Sequence, residues 1–395
     1  MYLKIAVISV TLFALQHVVR LIYSLGYHLH FYQHYPGPCR QFQEIEFGSG
    51  NFYTLPDGTT FITSGLDMSA FSRGFRLHYT SKGVEGAIYL TKLNSSKAGL
   101  IKLNIIVDIG GGEGGFSLDT FHPHGISVWY DPLKGHHTVF VVNHPPKAAD
   151  RVEKFSFNPE SLSLHHIKSF SDHKLRSLHN VQAIGEDSFY VTNVLHENKS
   201  RFFMLLELFS LMPWSSVILY SEEDGGYREV VSGLISATGI VMSTCGRFIY
   251  VMLSLGSQVL VYKRGKDNLL TMQQVFHLYT HPDSAVLDPV TGDIFIGAHP
   301  ILHQYLKHID NPAKHKAASQ VLHLRVSQGN VTSITELLYD DGTLISGSSA
   351  AIVYNNTLLV GSSVDKLVLI RVNTPLSIFH HFKPHGKKFL AVPMV

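Results

Sequence analysis

"NVQAIGEDSFYVTNV" (180–194) is the stretch on which the fold turns: two short runs of apolar and β-branched residues meet at Gly185-Glu186-Asp187. That composition marks a tight hairpin rather than a helix. The same unit returns as "GNFYTLPDGTTFITSG" (50–65), "HGISVWYDPLKGHHTVFVVNH" (124–144), "TGIVMSTCGRFIYVML" (238–253), "SAVLDPVTGDIFIGAH" (284–299) and "SAAIVYNNTLLVGSS" (349–363). Successive units begin roughly 45 to 75 residues apart. A unit of this size cannot bury its own sheet, so the recurrence predicts an all-β, six-bladed β-propeller. In such a ring the innermost strands surround a channel, and the residues that open them face one another at one mouth. The register places Gly50 and Asn51, His124, His179 and Asn180, Thr238, Asp283 and Ser284, and Ser348 and Ser349 around that mouth. Function is expected there.

The bulk properties exclude several classes. Charged residues make up only 16% of the 395, and a net charge of +2 leaves no basic stripe for nucleic acid. The 25 histidines are scattered, and the pairs His136–His137 and His165–His166 lack zinc-ligand spacing. Cys39 and Cys245 allow one disulfide or two free thiols.

The N-terminus supplies the compartment. "MYLKIAVISVTLFALQ" places Lys4 before an apolar run from Ile5 to Leu15, shorter than the ~20 residues of a full membrane span. "VVRLIYSLGY" prolongs it beyond Gln16, His17 and Arg20. Residues 1–35 are assigned as a signal-anchor or transmembrane segment, 36–372 as the propeller and 373–395 as a C-terminal tail. A signal cleaved near Ser24-Leu25-Gly26 is the alternative, and either sends the remainder into the secretory pathway. The sequons at Asn94, Asn198, Asn330 and Asn355 agree with a luminal or extracellular propeller, in the endoplasmic reticulum or at the cell surface.

Two other segments stand out. "GGGEGG" (110–115) leads into a Pro-containing β unit rather than a helix, so it reads as a loop and not a phosphate cradle. "RFFMLLELFSLMPW" (201–214) predicts a helix that is apolar on nearly every side. Its Phe202, Phe203, Leu205, Leu206 and Phe209 are expected to face the propeller, a membrane or a partner.

"LPDGTTFITSGL", "FHPHGIS", "VVNHP", "FYVTN", "LDPVTGD…GAHP" and "YNNTLLVGSS" together resemble the paraoxonase (arylesterase/lactonase) family over about residues 35 to 372. The resemblance implies a six-bladed propeller with one catalytic and one structural calcium in its channel. It also implies an N-terminal hydrophobic segment that members commonly keep. His124 and His144 match the family's histidine pair. For the catalytic calcium the family has Glu where this chain has Gly50, Asn at His179, Asn at Thr238, Asp at Asp283 and Asn at Ser284. For the structural calcium it has Asp at Asn51, Asp at Asn180 and the carbonyl of Ile126. Cys39 matches half of the family's terminal disulfide, whose other half falls on Ile370 here.

Calcium takes six to eight hard oxygen ligands, and its affinity follows the number of carboxylates. By this correspondence four carboxylates fall to one, Asp283, and a histidine base without a metal electrophile assists by only ~10²–10⁴-fold. The expected reading is therefore a non-catalytic, membrane-anchored member without a cofactor. It would serve membrane-protein clients as an accessory or chaperone, as invertebrate paraoxonase-like membrane proteins do for degenerin-type channel subunits. A calcium-dependent arylesterase or lactonase is the alternative.

Overall fold

The computed structural model describes residues 2–29, 32–45, 47–68, 72–94, 99–108, 115–146, 148–196 and 201–373. Six separate antiparallel sheets follow one another along the chain, and their inner hairpins are the six repeated units. Blade 1 opens with Phe52–Thr54 and Thr59–Ser64, and blade 2 with Pro123–Asp131 and His136–Asn143. Ser177–Gly185 and Ser188–Leu195 begin blade 3, and Ala237–Met242 and Phe248–Leu253 begin blade 4. His281–Leu287 and Ile294–His299 begin blade 5, and Ser348–Tyr354 and Thr357–Ser362 begin blade 6. Blade 2 gains a fifth strand, Asn104–Ile106, lying parallel to its outer edge.

The core is a set of wedges between blades rather than a single centre. Val139 and Val141 pack toward blade 1, while their neighbours Phe140 and Val142 pack toward blade 3. Both faces of such a strand are buried, so it reads as a continuous apolar run instead of an alternation. The outermost strands return to water, and in Leu270–His277 no residue is fully buried.

Blade 6 closes the ring with the other end of the chain. Cys39–Gln41 is its outer strand, pairing antiparallel with Leu367–Arg371, and Cys39 stands directly across from Ile370. Both cysteines are free and exposed, so strand pairing and packing make the closure.

Four helices complete the described residues. α1 (Tyr2–Leu25) is one unbroken helix, so the apolar run and its prolongation form a single element. At ~1.5 Å per residue it is about 36 Å long, enough to cross the ~30 Å apolar layer of a bilayer. None of its residues is buried. After it the chain runs along the outer edge of blade 5, where His34 bridges Tyr339 and the Tyr35 hydroxyl donates to Asp340 at 2.6 Å.

α2 (Arg73–Lys82), α3 (Arg201–Ser210) and α4 (Leu302–Asp310) each lie between the second and third strands of a blade. Those connections all emerge at the mouth where the inner strands begin. Only α3 is expected from the sequence reading. α2 is short and polar outside, and it is set by its Ser72 cap, whose hydroxyl accepts from Phe75 N at 3.0 Å.

Candidate functional site

The inner strands reach the mouth through local irregularity. Register shifts fall between Pro123 and Ile126, Leu178 and Val181, Ala237 and Ile240, Pro282 and Ala285, and Ser348 and Ala350. A bulge at that point re-aims the first residues of the inner strands of blades 2 to 6 inward. Hydroxyls then stitch one blade to the next. Ser349 donates to Gly50 O at 2.9 Å, Thr63 to His124 O at 2.6 Å, Thr192 to Thr238 O at 2.6 Å and Thr238 to Pro282 O at 3.2 Å. Between blades 2 and 3 the backbones meet directly: a Cβ on Gly125 would lie 2.5 Å from Asn180 Cα, so only glycine fits.

Within this ring the side chains form a line of imidazoles and carboxylates. Asp150 Oδ1 lies 3.0 Å from His144 Nδ1, and His144 Nε2 lies 3.4 Å from His124 Nδ1. The His124 ring meets that of His179 at a centroid distance of 4.3 Å. His179 Nε2 is 2.8 Å from Asp283 Oδ1, close but not aligned as a hydrogen bond. His299 Nε2 is 3.1 Å from Asp283 Oδ2, and the His299 ring stacks on Tyr305 of α4 at 3.5 Å.

The electrostatics follow from burial and these neighbours. Burial holds His124 well below the usual imidazole range, and His179 and His144 press in the same direction, so it is neutral at pH 7. Burial alone would raise the Asp283 carboxyl, but His179 and His299 outweigh it and hold the group well below the carboxylate range. Burial, with the charge of Asp283 adding to it, pushes the Tyr305 hydroxyl well up. In the tautomer that turns the His144 Nδ1–H toward Asp150, the free Nε2 of His144 accepts from His124. The relay then leaves the outer nitrogen of His124 as a proton acceptor.

The residues do not fit calcium. Asn51 Oδ1 accepts from Phe52 N at 2.7 Å, leaving its buried Nδ2 donor unpaired. Asn180 Oδ1 accepts from Val181 N at 2.8 Å, and Thr238 turns its hydroxyl to Pro282. Gly50 offers no side-chain oxygen, and both Asp283 oxygens face imidazoles. What remains of the ligand set is Asp283 Oδ1, the Ser284 hydroxyl and the Ile126 carbonyl, far short of six oxygens. Among the described residues, no group of three or more His, Cys, Asp or Glu side chains is placed to hold a metal.

The sequence reading names His124, His144, His179 and Asp283, which the structure brings into one line. It misses Asp150, His299 and Tyr305. His299 closes a repeated unit and was legible as its end; Asp150 and Tyr305 lie in connections that carry no repeat signal. Asn94 and Asn355 are exposed, Asn330 is half-buried at the start of a strand, and Asn198 lies outside the described residues. On α3, Phe202, Phe203, Leu205, Leu206 and Phe209 are all exposed. His17 of α1 contacts Phe209 O at 3.0 Å, so α3 lies beside the N-terminal helix.

A six-bladed propeller with a histidine-lined mouth and an apolar N-terminal helix defines the class. The arylesterase family model matches residues 34–371, and the chain belongs to that family. It is 34% identical over 325 residues to serum paraoxonase/arylesterase 2 of Gallus gallus, covering 82% of this chain and 86% of that one. Serum paraoxonase/lactonase 3 of Oryctolagus cuniculus is 31% identical, covering 84% and 88%. Among solved structures, a luciferin-regenerating enzyme aligns over 87% of this chain and 97% of its own, with a TM-score of 0.49 at 10% identity.

Proposed function

We propose that this chain is a membrane-anchored member of the paraoxonase family that binds rather than hydrolyses. It would act as an accessory or chaperone for membrane proteins, with degenerin-type channel subunits as the client class the resemblance suggests. One observation carries the reading. Asp283, the one carboxylate that matches the calcium set, is enclosed by imidazoles: His299 hydrogen-bonds its Oδ2 at 3.1 Å, and His179 Nε2 lies 2.8 Å from its Oδ1. Calorimetry on the purified protein is expected to record no calcium binding, and arylesterase or lactonase turnover is expected to be absent with or without chelator. Micromolar calcium affinity overturns it.

A second reading has its own support, the Asp150–His144–His124 relay together with the names of the relatives. It makes the chain an arylesterase or lactonase. Hydrolysis of an aryl ester or lactone that His124→Gln abolishes would establish it.

The attachment we propose is a single pass through α1, with Lys4 cytosolic and the propeller luminal or extracellular. Arg20 weakens the charge bias and snorkels toward an interface. Alkaline carbonate should leave the protein in membranes, and glycosidase should increase its gel mobility through Asn94, Asn330 or Asn355. A soluble product beginning near Tyr27 would show cleavage instead.

A further inference from the structure

Beside the channel mouth, a second cavity of ≈ 180 Å³ lies between three helices. Leu21 and Leu25 of α1, Leu208 and Phe209 of α3, and Leu302 and Leu306 of α4 stand in a largely apolar wall, in which Ser24, Ser72 and Asp310 are the polar members. An apolar cavity of ≈ 150 Å³ stays dry and accepts benzene, so this one has room for about six to eight carbons. Hydrogen bonds hold the walls in place without a guest. His281 Nε2 lies 2.8 Å from Ser24 O, His303 Nδ1 lies 2.9 Å from Leu25 O, and Tyr27 stacks on His303 at 4.1 Å.

The surroundings narrow the occupant. α1 is mostly apolar and none of its residues is buried, so in the membrane its open flanks are solvated by acyl chains. The last turn of that helix is a wall of the cavity, and the outer face of α3 exposes Phe202, Phe203 and Leu206 alongside. A partner helix, about 10 Å across with its side chains, is too wide to enter. A single hydrocarbon chain is not.

We propose that this cavity is a binding site for one acyl chain of a bilayer lipid, gripped between the end of the N-terminal helix and the two helices over the channel mouth. It rests on α1 being the membrane anchor and is independent of whether the channel turns over an ester.

The test uses the full chain in lipid nanodiscs containing phosphatidylcholine with a photoactivatable diazirine on one acyl chain. After illumination, labelled peptides are mapped by mass spectrometry. The expected result is labelling of both α1 and the Leu302–Asp310 segment, with the latter falling at least tenfold in Leu306→Trp, which fills the cavity. Leu208→Phe is the gentler filling variant should tryptophan not be accommodated. Labelling of α1 alone overturns the acyl site and leaves the anchor standing; so does α4 labelling that neither variant reduces. Labelling of neither helix overturns both.

Discussion

Asp283 keeps its charge in the channel between two imidazoles, His179 and His299. A buried carboxylate needs compensation, and here His179 and His299 provide it. Asp283→Ala leaves the buried His299 Nε2 without its acceptor, and a buried polar group left unsatisfied costs about 1–3 kcal/mol. The loss should appear in denaturant titration and be the same with calcium or chelator present; a calcium-dependent loss would mean the metal is there. The histidines predict a pH response of definite sign. Burial lowers His122, His124, His281 and His308, so the unfolded chain binds more protons than the folded one as pH falls below the ordinary imidazole value of ~6.5. Stability should therefore fall between pH 6.5 and 5, by up to about 1.4 kcal/mol per pH unit for each histidine. Asp283 adds its own loss only below ~3.9, where the unfolded carboxyl protonates. Thermal midpoints measured from pH 8 to 5 check this, and a flat profile in that range counts against it. At this scale the sequence could name residues but not their partners. His179 and Asp283 are far apart in the chain, and nothing in either local stretch says that one will hold the other.

Blade hairpins were legible because each is a local element with its own turn chemistry. "YNNT" in blade 6 folds with Asn355 and Asn356 both at positive φ, as a two-residue hairpin turn requires. The closing strand was not legible from pattern, since "CRQ" is exposed at all three residues and too short to alternate. α4 was missed for a different reason. Leu302, Leu306 and Ile309 carry a helical period, but Pro300 just ahead and three interspersed His and Lys residues mask it. The closure offers a direct experiment. Directly opposed residues on antiparallel strands have Cα atoms ~4.5–5.5 Å apart, inside the range a disulfide spans. Ile370→Cys should therefore join Cys39 under oxidising conditions. The crosslink should raise stability by about 2–4 kcal/mol, less the packing lost with Ile370, and the gain should vanish on reduction. No difference between oxidised and reduced forms would show that the closing strand is not held in this register.

Taken whole, the propeller separates scaffold from site. Its wedges are built by apolar runs on both faces of buried strands, and a polar change at the channel mouth touches none of them. That is why the fold could be read from the repeat while the partners within the site could not. The separation also implies that the change is reversible. Gly50→Glu, Asn51→Asp, His179→Asn, Asn180→Asp, Thr238→Asn and Ser284→Asn together place on the ring the oxygen set that the resemblance implies, without altering any wedge. At Gly50 a Cβ would meet Ser363 Oγ at 3.3 Å and His124 Cδ2 at 3.4 Å. Both are side-chain atoms, so a shift of a few tenths of an ångström admits it. Removing His179 also frees one oxygen of Asp283. The combined variant should bind calcium, and at about a hundred times its Kd the metal should stabilise the fold by about 2.7 kcal/mol. Gly50→Glu alone should not, because a single added carboxylate still leaves Asn51 and Asn180 turned to their own backbones. Thermal unfolding with calcium and with chelator distinguishes the two. A combined variant that folds yet ignores calcium would place the divergence in the ring's backbone rather than in its side chains.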